Sequence, residues 1–154
     1  MWLRRVGEAD LPAALDLHAR CSPGNLAQRY PGGAREADDY LRHLLNGRHG
    51  ASVAAHLGTG QLVGLGHVLW DGPESEVALL VADDWQRRGV GGALLGALVA
   101  LAVARHSAGL YAVAQAGDAE LLGALRATGL PLTEHPEADD ALVVSAPLPS
   151  RGVR

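Results

Sequence analysis

The residues that could do chemistry gather in one stretch, from Glu76 to Gly92. An apolar run, Val77-Ala78-Leu79-Leu80-Val81, passes through Asp83-Asp84-Trp85 into Gln86-Arg87-Arg88-Gly89-Val90-Gly91-Gly92, which opens a long apolar segment. Glycine lets a backbone take positive φ and come close to a ligand. The first N–H groups of a helix have no internal partner, and the macrodipole puts partial positive charge there. Arg87 and Arg88 add full charges, so the junction has the makings of a pyrophosphate cradle. Glu76 is the second group of interest, a carboxylate that interrupts an apolar strand pattern. Burial would raise its pKa toward neutrality and make it a general base for removing a proton from an amine. The same residue also reads as a strand-end Glu facing solvent beside the Asp71–Ser75 turn. Glu74 is the second choice of base and otherwise a turn residue.

Composition narrows the setting. The chain has 154 residues, 48% hydrophobic and 19% charged, enough for one globular domain without a disulfide or metal staple. All 13 basic residues are Arg, so a Walker loop and a Lys Schiff base are both excluded. No G-x-S-x-G or H-E-x-x-H occurs, the histidines show no metal spacing, and no metal is expected. A formal charge of −4 argues against a general nucleic-acid role. Cys21 is the lone cysteine and reads as a buried thiol rather than a nucleophile. The start Met1-Trp2-Leu3-Arg4-Arg5 has no apolar signal core. The uncharged stretch 89–104 falls short of the roughly 20 residues a membrane span needs. The expected location is cytoplasmic, with no membrane partner.

The elements that must position these groups follow from hydrophobic period and punctuation. Strands are expected at Leu3–Val6, Ala51–Leu57, Gln61–Trp70, Glu76–Val81, Leu110–Ala114 and Ala141–Ala146. Helices are expected from Asp10 to about Arg20, over Glu36–Leu45, from Gly89 to Ala104, and from an Asp118 cap to Gly129. Ser22-Pro23-Gly24-Asn25 reads as a break, Glu134–Asp140 as a solvated acidic loop, and Ser150–Arg154 as a loose tail after a domain spanning 1–149. Glu76–Val81, apolar at nearly every position, is expected at the centre of the sheet. The result is a mixed α/β (α+β) domain, a mostly antiparallel sheet flanked by about four helices with late β-α crossovers.

Gln86–Gly91 fits Q/R-x-x-G-x-G/A at a strand-to-helix junction, and with the element order the chain resembles the GNAT superfamily of N-acetyltransferases. The run from Glu76 through Asp83-Asp84-Trp85-Gln86, together with Ser22-Pro23 and Arg29-Tyr30, is similar to the bacterial protein-lysine acetyltransferases of the Pat type.

The resemblance implies the GNAT acyl-CoA N-acyltransferase fold and direct transfer of an acetyl group from acetyl-CoA to a primary amine. It implies that the backbone of Leu79, Leu80 and Val81 holds the pantetheine arm. Gln86, Arg87, Arg88, Gly89, Val90, Gly91 and Gly92 would take the pyrophosphate, with Glu76 as base. Asp118 stands where the family has an Asn that contacts the cofactor, and keeps the cap while losing the amide donor. Leu125 stands where many members carry a Tyr acid, so the leaving thiolate would take its proton from water. Protein lysine is the favoured acceptor. A small-molecule or antibiotic acetyltransferase and a catalytically weak acyl-CoA-binding module are the alternatives. His56 and His67 read as core histidines that could also line the acceptor cleft, and the apolar 89–104 helix with an exposed last strand is compatible with a homodimer.

Overall fold

A computed structural model describes residues 1–115 and 117–149; the tail expected at Ser150–Arg154 lies outside the described residues. The element order is β1 (Trp2–Val6), α1 (Leu11–Arg20), α2 (Pro23–Arg29), α3 (Ala34–Leu45), β2 (Gly50–His56), β3 (Leu62–Asp71), β4 (Glu74–Val81), α4 (Val90–Ala104), β5 (Gly109–Ala114), α5 (Ala119–Ala127), β6 (Thr133–Pro136) and β7 (Leu142–Pro147). The strands form one sheet in the order β1-β2-β3-β4-β5-β7-β6. All neighbours are antiparallel except β4 and β5, which α4 links by a crossover. The apolar β4 is the central strand, as its composition predicts.

The two faces of the sheet carry separate cores. Val77, Leu79 and Val81 of β4 pack with Leu94, Leu95 and Leu98 of α4 and Leu121 and Leu125 of α5. Leu80 and Ala82 pack on the other face with Leu17, Leu26, Tyr30 and Leu41 from α1, α2 and α3. Alternation along one strand therefore assigns odd residues to one layer and even residues to the other. Two glycines of β3 let α4 come close. A Cβ on Gly64 would stand 2.8 Å from both Leu94 and Val90, and one on Gly66 would stand 3.0 Å from Leu98.

Three expectations are corrected. Ser22-Pro23 starts a helix as well as ending one. The Ser22 hydroxyl accepts the Asn25 N–H at 3.2 Å, and Pro23 sits at the first helical position, where its missing N–H costs nothing. Part of the acidic loop is strand β6, exposed along its length and paired to β7, which leads into a short 3-10 turn at Ala138–Asp140. The last strand is not a free edge, because β7 lies between β5 and β6. Among the described residues no helix is long and apolar enough to cross a membrane.

Candidate active site

The site begins where two strands part. β4 and β5 pair only from Glu74↔Gly109 to Glu76↔Tyr111, after which β4 continues to Val81 without β5 beside it. The ladder with β3 fixes which backbone groups are left over. The Ala82 N–H donates to the Val63 carbonyl at 2.9 Å, one step beyond the Gly64↔Val81 pair. In an antiparallel ladder such hydrogen-bonded positions recur every second residue. Ala78 and Leu80 therefore direct their N–H and C=O groups at β3, while Leu79 and Val81 direct theirs at the open side. Of the three residues expected to present backbone here, Leu79 lines the cleft. The Val81 carbonyl accepts from Asn25 Nδ2 at 2.7 Å and Gln86 Nε2 at 3.2 Å. Leu80 is the exception, since its backbone belongs to the β3 ladder and its side chain to the α1–α3 core.

The Gly-rich junction opens α4 as its composition requires. Gly89 caps the helix at φ +87°, and Arg87 is also left-handed at φ +61°. Gly92 faces open space. Arg87, Gly89 and Gly92 line a depression of about 270 Å³ together with Ala119, Gly123 and Ala124 of α5. An acid stands at its edge: Glu120 accepts the Arg87 N–H at 3.1 Å, and a Cβ on Gly91 would lie 2.8 Å from its other oxygen. A carboxylate thus sits where the helix start and the loop would attract an anion. Arg88 lies over the Trp85 ring, 5.2 Å from its centroid. Gln86 turns its amide back to Val81 and braces the end of β4.

On the other side of the parted strands is a cleft of about 160 Å³, lined by Glu76, Ala78 and Leu79 of β4, Gln28 and Arg29 of α2, Tyr40 of α3, Gln115, and Asp118. Glu76 is partly buried within it. Burial raises its pKa; the positive charge of Arg29 opposes the shift and Asp71 adds to it. Glu76 thus stands inside strand β4, the third of its eight residues. Glu74 is the exposed first residue of β4 rather than part of the turn. Asp118 is 8% exposed and caps α5 by accepting the Leu121 N–H at 3.1 Å. Burial raises its pKa as well, while the Leu121 N–H opposes that shift. Leu125 is fully buried in the α4–α5 core.

Helix α2 closes the cleft, and the sequence reading missed it. Asp83 ties it to the end of β4 by accepting the Ser22 N–H at 2.9 Å and Asn25 Nδ2 at 3.0 Å. Burial opposes ionisation of Asp83, but these hydrogen bonds hold its carboxyl below the ordinary range. Behind α2, His18 Nδ1 donates to Asp38 at 2.9 Å and the Tyr30 hydroxyl donates to His18 Nε2 at 2.8 Å. Burial lowers the pKa of that imidazole against the opposing pull of Asp38, and pushes the Tyr30 phenol up to about 12. His67 is fully buried beside Ser52, with Ser52 Oγ 2.6 Å from its Nδ1. His56 instead bonds the Leu57 carbonyl at 3.0 Å and stacks on Trp2. The Cys21 thiol is pushed up to about 11 by burial and by Asp83, which leaves almost no thiolate at neutral pH.

The profile of the acetyltransferase (GNAT) family matches residues 11–127. No curated protein matches the chain. Among solved structures, the GNAT domain of S. lividans PAT is 20% identical, with 95% of this chain and 89% of that one covered at a TM-score of 0.81. The ribosomal-protein-S18-alanine N-acetyltransferase from Escherichia coli is 20% identical over 99% of this chain and 97% of that one, TM-score 0.72. A phosphinothricin acetyltransferase from Sinorhizobium meliloti, in complex with AcCoA, is 17% identical over 99% and 90%, TM-score 0.73. At these identities the likeness is one of fold.

The raised pKa of Glu76 carries a sign that stability measurements can read. A carboxyl whose folded pKa lies above its ordinary value of 4.5 destabilises the fold once both states are ionised, and contributes nothing when both are protonated. Glu76→Gln is expected to unfold at a higher temperature than the parent at pH 7. The gap should close as the pH falls below 4.5. A variant less stable than the parent at pH 7 would mean that the carboxylate is favourably paired.

Proposed function

The chain belongs to the acetyltransferase (GNAT) family, and we propose that it transfers an acetyl group from acetyl-CoA directly to a primary amine seated beside Glu76. One observation carries the reading: the parting of β4 and β5 sets the open backbone of Leu79 between an anion cradle at the start of α4 and a partly buried carboxylate. The cradle suits a pyrophosphate, because backbone N–H groups and the helix dipole meet it without a bulky side chain at Gly89 or Gly92. The Leu79 N–H is a donor to which a thioester carbonyl can present its oxygen. Charge that develops on that oxygen strengthens the contact in the transition state.

Glu76 supplies the base. An ammonium cannot attack a carbonyl until it loses a proton, and a carboxylate with a raised pKa can take that proton near neutral pH. The neutral amine then attacks the thioester carbon, the C–N bond forms, the nitrogen sheds its second proton to water, and the C–S bond breaks with the electron pair leaving on sulfur. Leu125 occupies the position of the family's Tyr acid, so the thiolate takes its proton from water. Glu120 must release the Arg87 N–H for a pyrophosphate to settle there.

The acceptor class has support on two sides. The Glu76–Gln86 run of Pat type favours a protein lysine. A cleft of about 160 Å³ with Arg29 in its wall favours a small amine that also carries an anionic group.

Two measurements test the reading. Gly92→Leu has room in the free protein and should weaken CoA at least tenfold by calorimetry, about 1.4 kcal/mol. Glu120→Gln, which removes a competing charge, should tighten CoA severalfold. Unchanged affinity in both would move the cofactor elsewhere. In a CoA-release assay, Glu76→Gln should lower turnover by roughly 10²–10⁴ with CoA binding kept. The loss should shrink at high pH, where the amine is already neutral. Full turnover at neutral pH would pass the role of base to another group.

A further inference from the structure

Arg29 ends α2 and lines the Glu76 cleft, and two of its three guanidinium nitrogens have no hydrogen-bond partner among the described residues. Its Nε and Nη2 are withdrawn from water, and neither has a hydrogen-bond acceptor among the described residues. No carboxylate there forms an ion pair with it. Its face is engaged, because the guanidinium carbon lies over the Tyr30 ring 4.6 Å from the centroid. What is left is an edge: Nε and Nη2 project their hydrogens in parallel, the fork that a carboxylate takes bidentate. Buried charges in proteins are ordinarily paired, and a cation short of both a counter-charge and two acceptors leaves a place for an anion. Its field reaches Glu76 and Asp118, which line the cleft with it, and His18, His67 and Tyr30, which do not.

We propose that Arg29 is the receptor for a substrate carboxylate, taken by its Nε–Nη2 edge inside the Glu76 cleft. The inference rests on the acetyl-transfer reading for what else occupies that cleft. Two sources share this chemistry: an acceptor that carries a carboxylate near its amine, as α-amino acids do, and an acyl chain that ends in a carboxylate. The acceptor is the expected source. The Glu76 side chain and α2 lie on the same face of the sheet, so the base meets the amine while Arg29 meets the acid of one small molecule. The edge is closed to water in the free protein, so a turn about the last torsions of Arg29 must present it to the cleft. The same contact separates substrates, because an amine without the carboxylate leaves the guanidinium unpaired.

The test is a binding comparison on the full chain loaded with CoA. Calorimetry measures each α-amino acid against the amine that lacks its carboxylate, and a second arm compares succinyl-CoA with acetyl-CoA on the CoA-free protein. The parent should bind a carboxylate-bearing member at least tenfold more tightly than its counterpart in one arm, and that arm names the source. Arg29→Gln should erase the preference and leave the carboxylate-free member within about threefold. Arg29→Lys keeps the charge without the fork, so it should retain part of the preference. Its thermal unfolding checks that the helix is intact. Equal binding within every pair in both arms overturns the proposal. So does a variant that weakens both members alike. CoA release from acetyl-CoA is read separately with both members of every pair: its absence with all of them in the parent contradicts acetyl transfer, while the binding comparison still decides the role of Arg29.

Discussion

The structure turns on a break in hydrogen bonding at the centre of a sheet. Buried backbone N–H and C=O groups are almost always paired, yet β4, the central strand of the sheet, loses its neighbour β5 beyond Glu76. Each strand is held elsewhere. β4 is zipped to β3 from Glu74 to Val81, and β5 to β7 from Gly109 to Ala114. A right-handed sheet twist accumulates between strands, and two firmly held halves joined by a short parallel seam can diverge where that seam ends. The unpaired groups of Leu79 and Val81 then become the recognition edge. Val81 already has its carbonyl satisfied by Asn25 and Gln86, so Leu79 is the residue whose backbone remains for a ligand.

The surrounding elements keep that break open. Gly64 and Gly66 let α4 settle on β3 and β4, which brings the helix start to the end of the parted strands. Asp83 and Asn25 pin α2 across the opposite face, and α2 delivers Arg29. The chain carries a net charge of −4 but concentrates positive potential at two places beside the opening, the α4 start and Arg29. Each is arranged differently. The α4 start is partly screened by Glu120, while two nitrogens of Arg29 are withdrawn from water and no carboxylate among the described residues forms an ion pair with it. Glu76 lies within the field of Arg29, and burial rather than a neighbouring acid is the first cause of its raised pKa.

Much of this was legible in the sequence because it depends on local rules. An apolar run broken by one carboxylate, followed by an Arg pair and glycines, states the strand, the turn and the helix start at once. The central place of β4 followed from its unalternating hydrophobicity. The parts that were not legible depend on packing. Helix α2 has seven residues, too few for a hydrophobic period, and Ser22-Pro23-Gly24 serves equally to end one helix and to begin another. Strand β6 is exposed at every position, so no alternation marks it. Arg29 looks like any solvated cation until α2 is laid against β4. Glu120 reads as an ordinary first-turn acid until Arg87 adopts a left-handed conformation and aims its N–H at it. The ladder phase that directs Leu80 to β3 and Leu79 to the cleft is set by register, which apolar residues in a row do not specify.

The central claim, that the β4 edge beside the parting is the recognition surface for a thioester cofactor, is tested most directly by residue-resolved amide hydrogen exchange. In the free protein the Leu79 amide should exchange faster than those of Ala78 and Leu80, which are bonded to β3. Acetyl-CoA should slow exchange at Leu79 and across Gly89–Gly92 while leaving Ala78 and Leu80 unchanged. Equal protection of all three amides in the free protein, or no response at Leu79 when acetyl-CoA is saturating, would contradict the account.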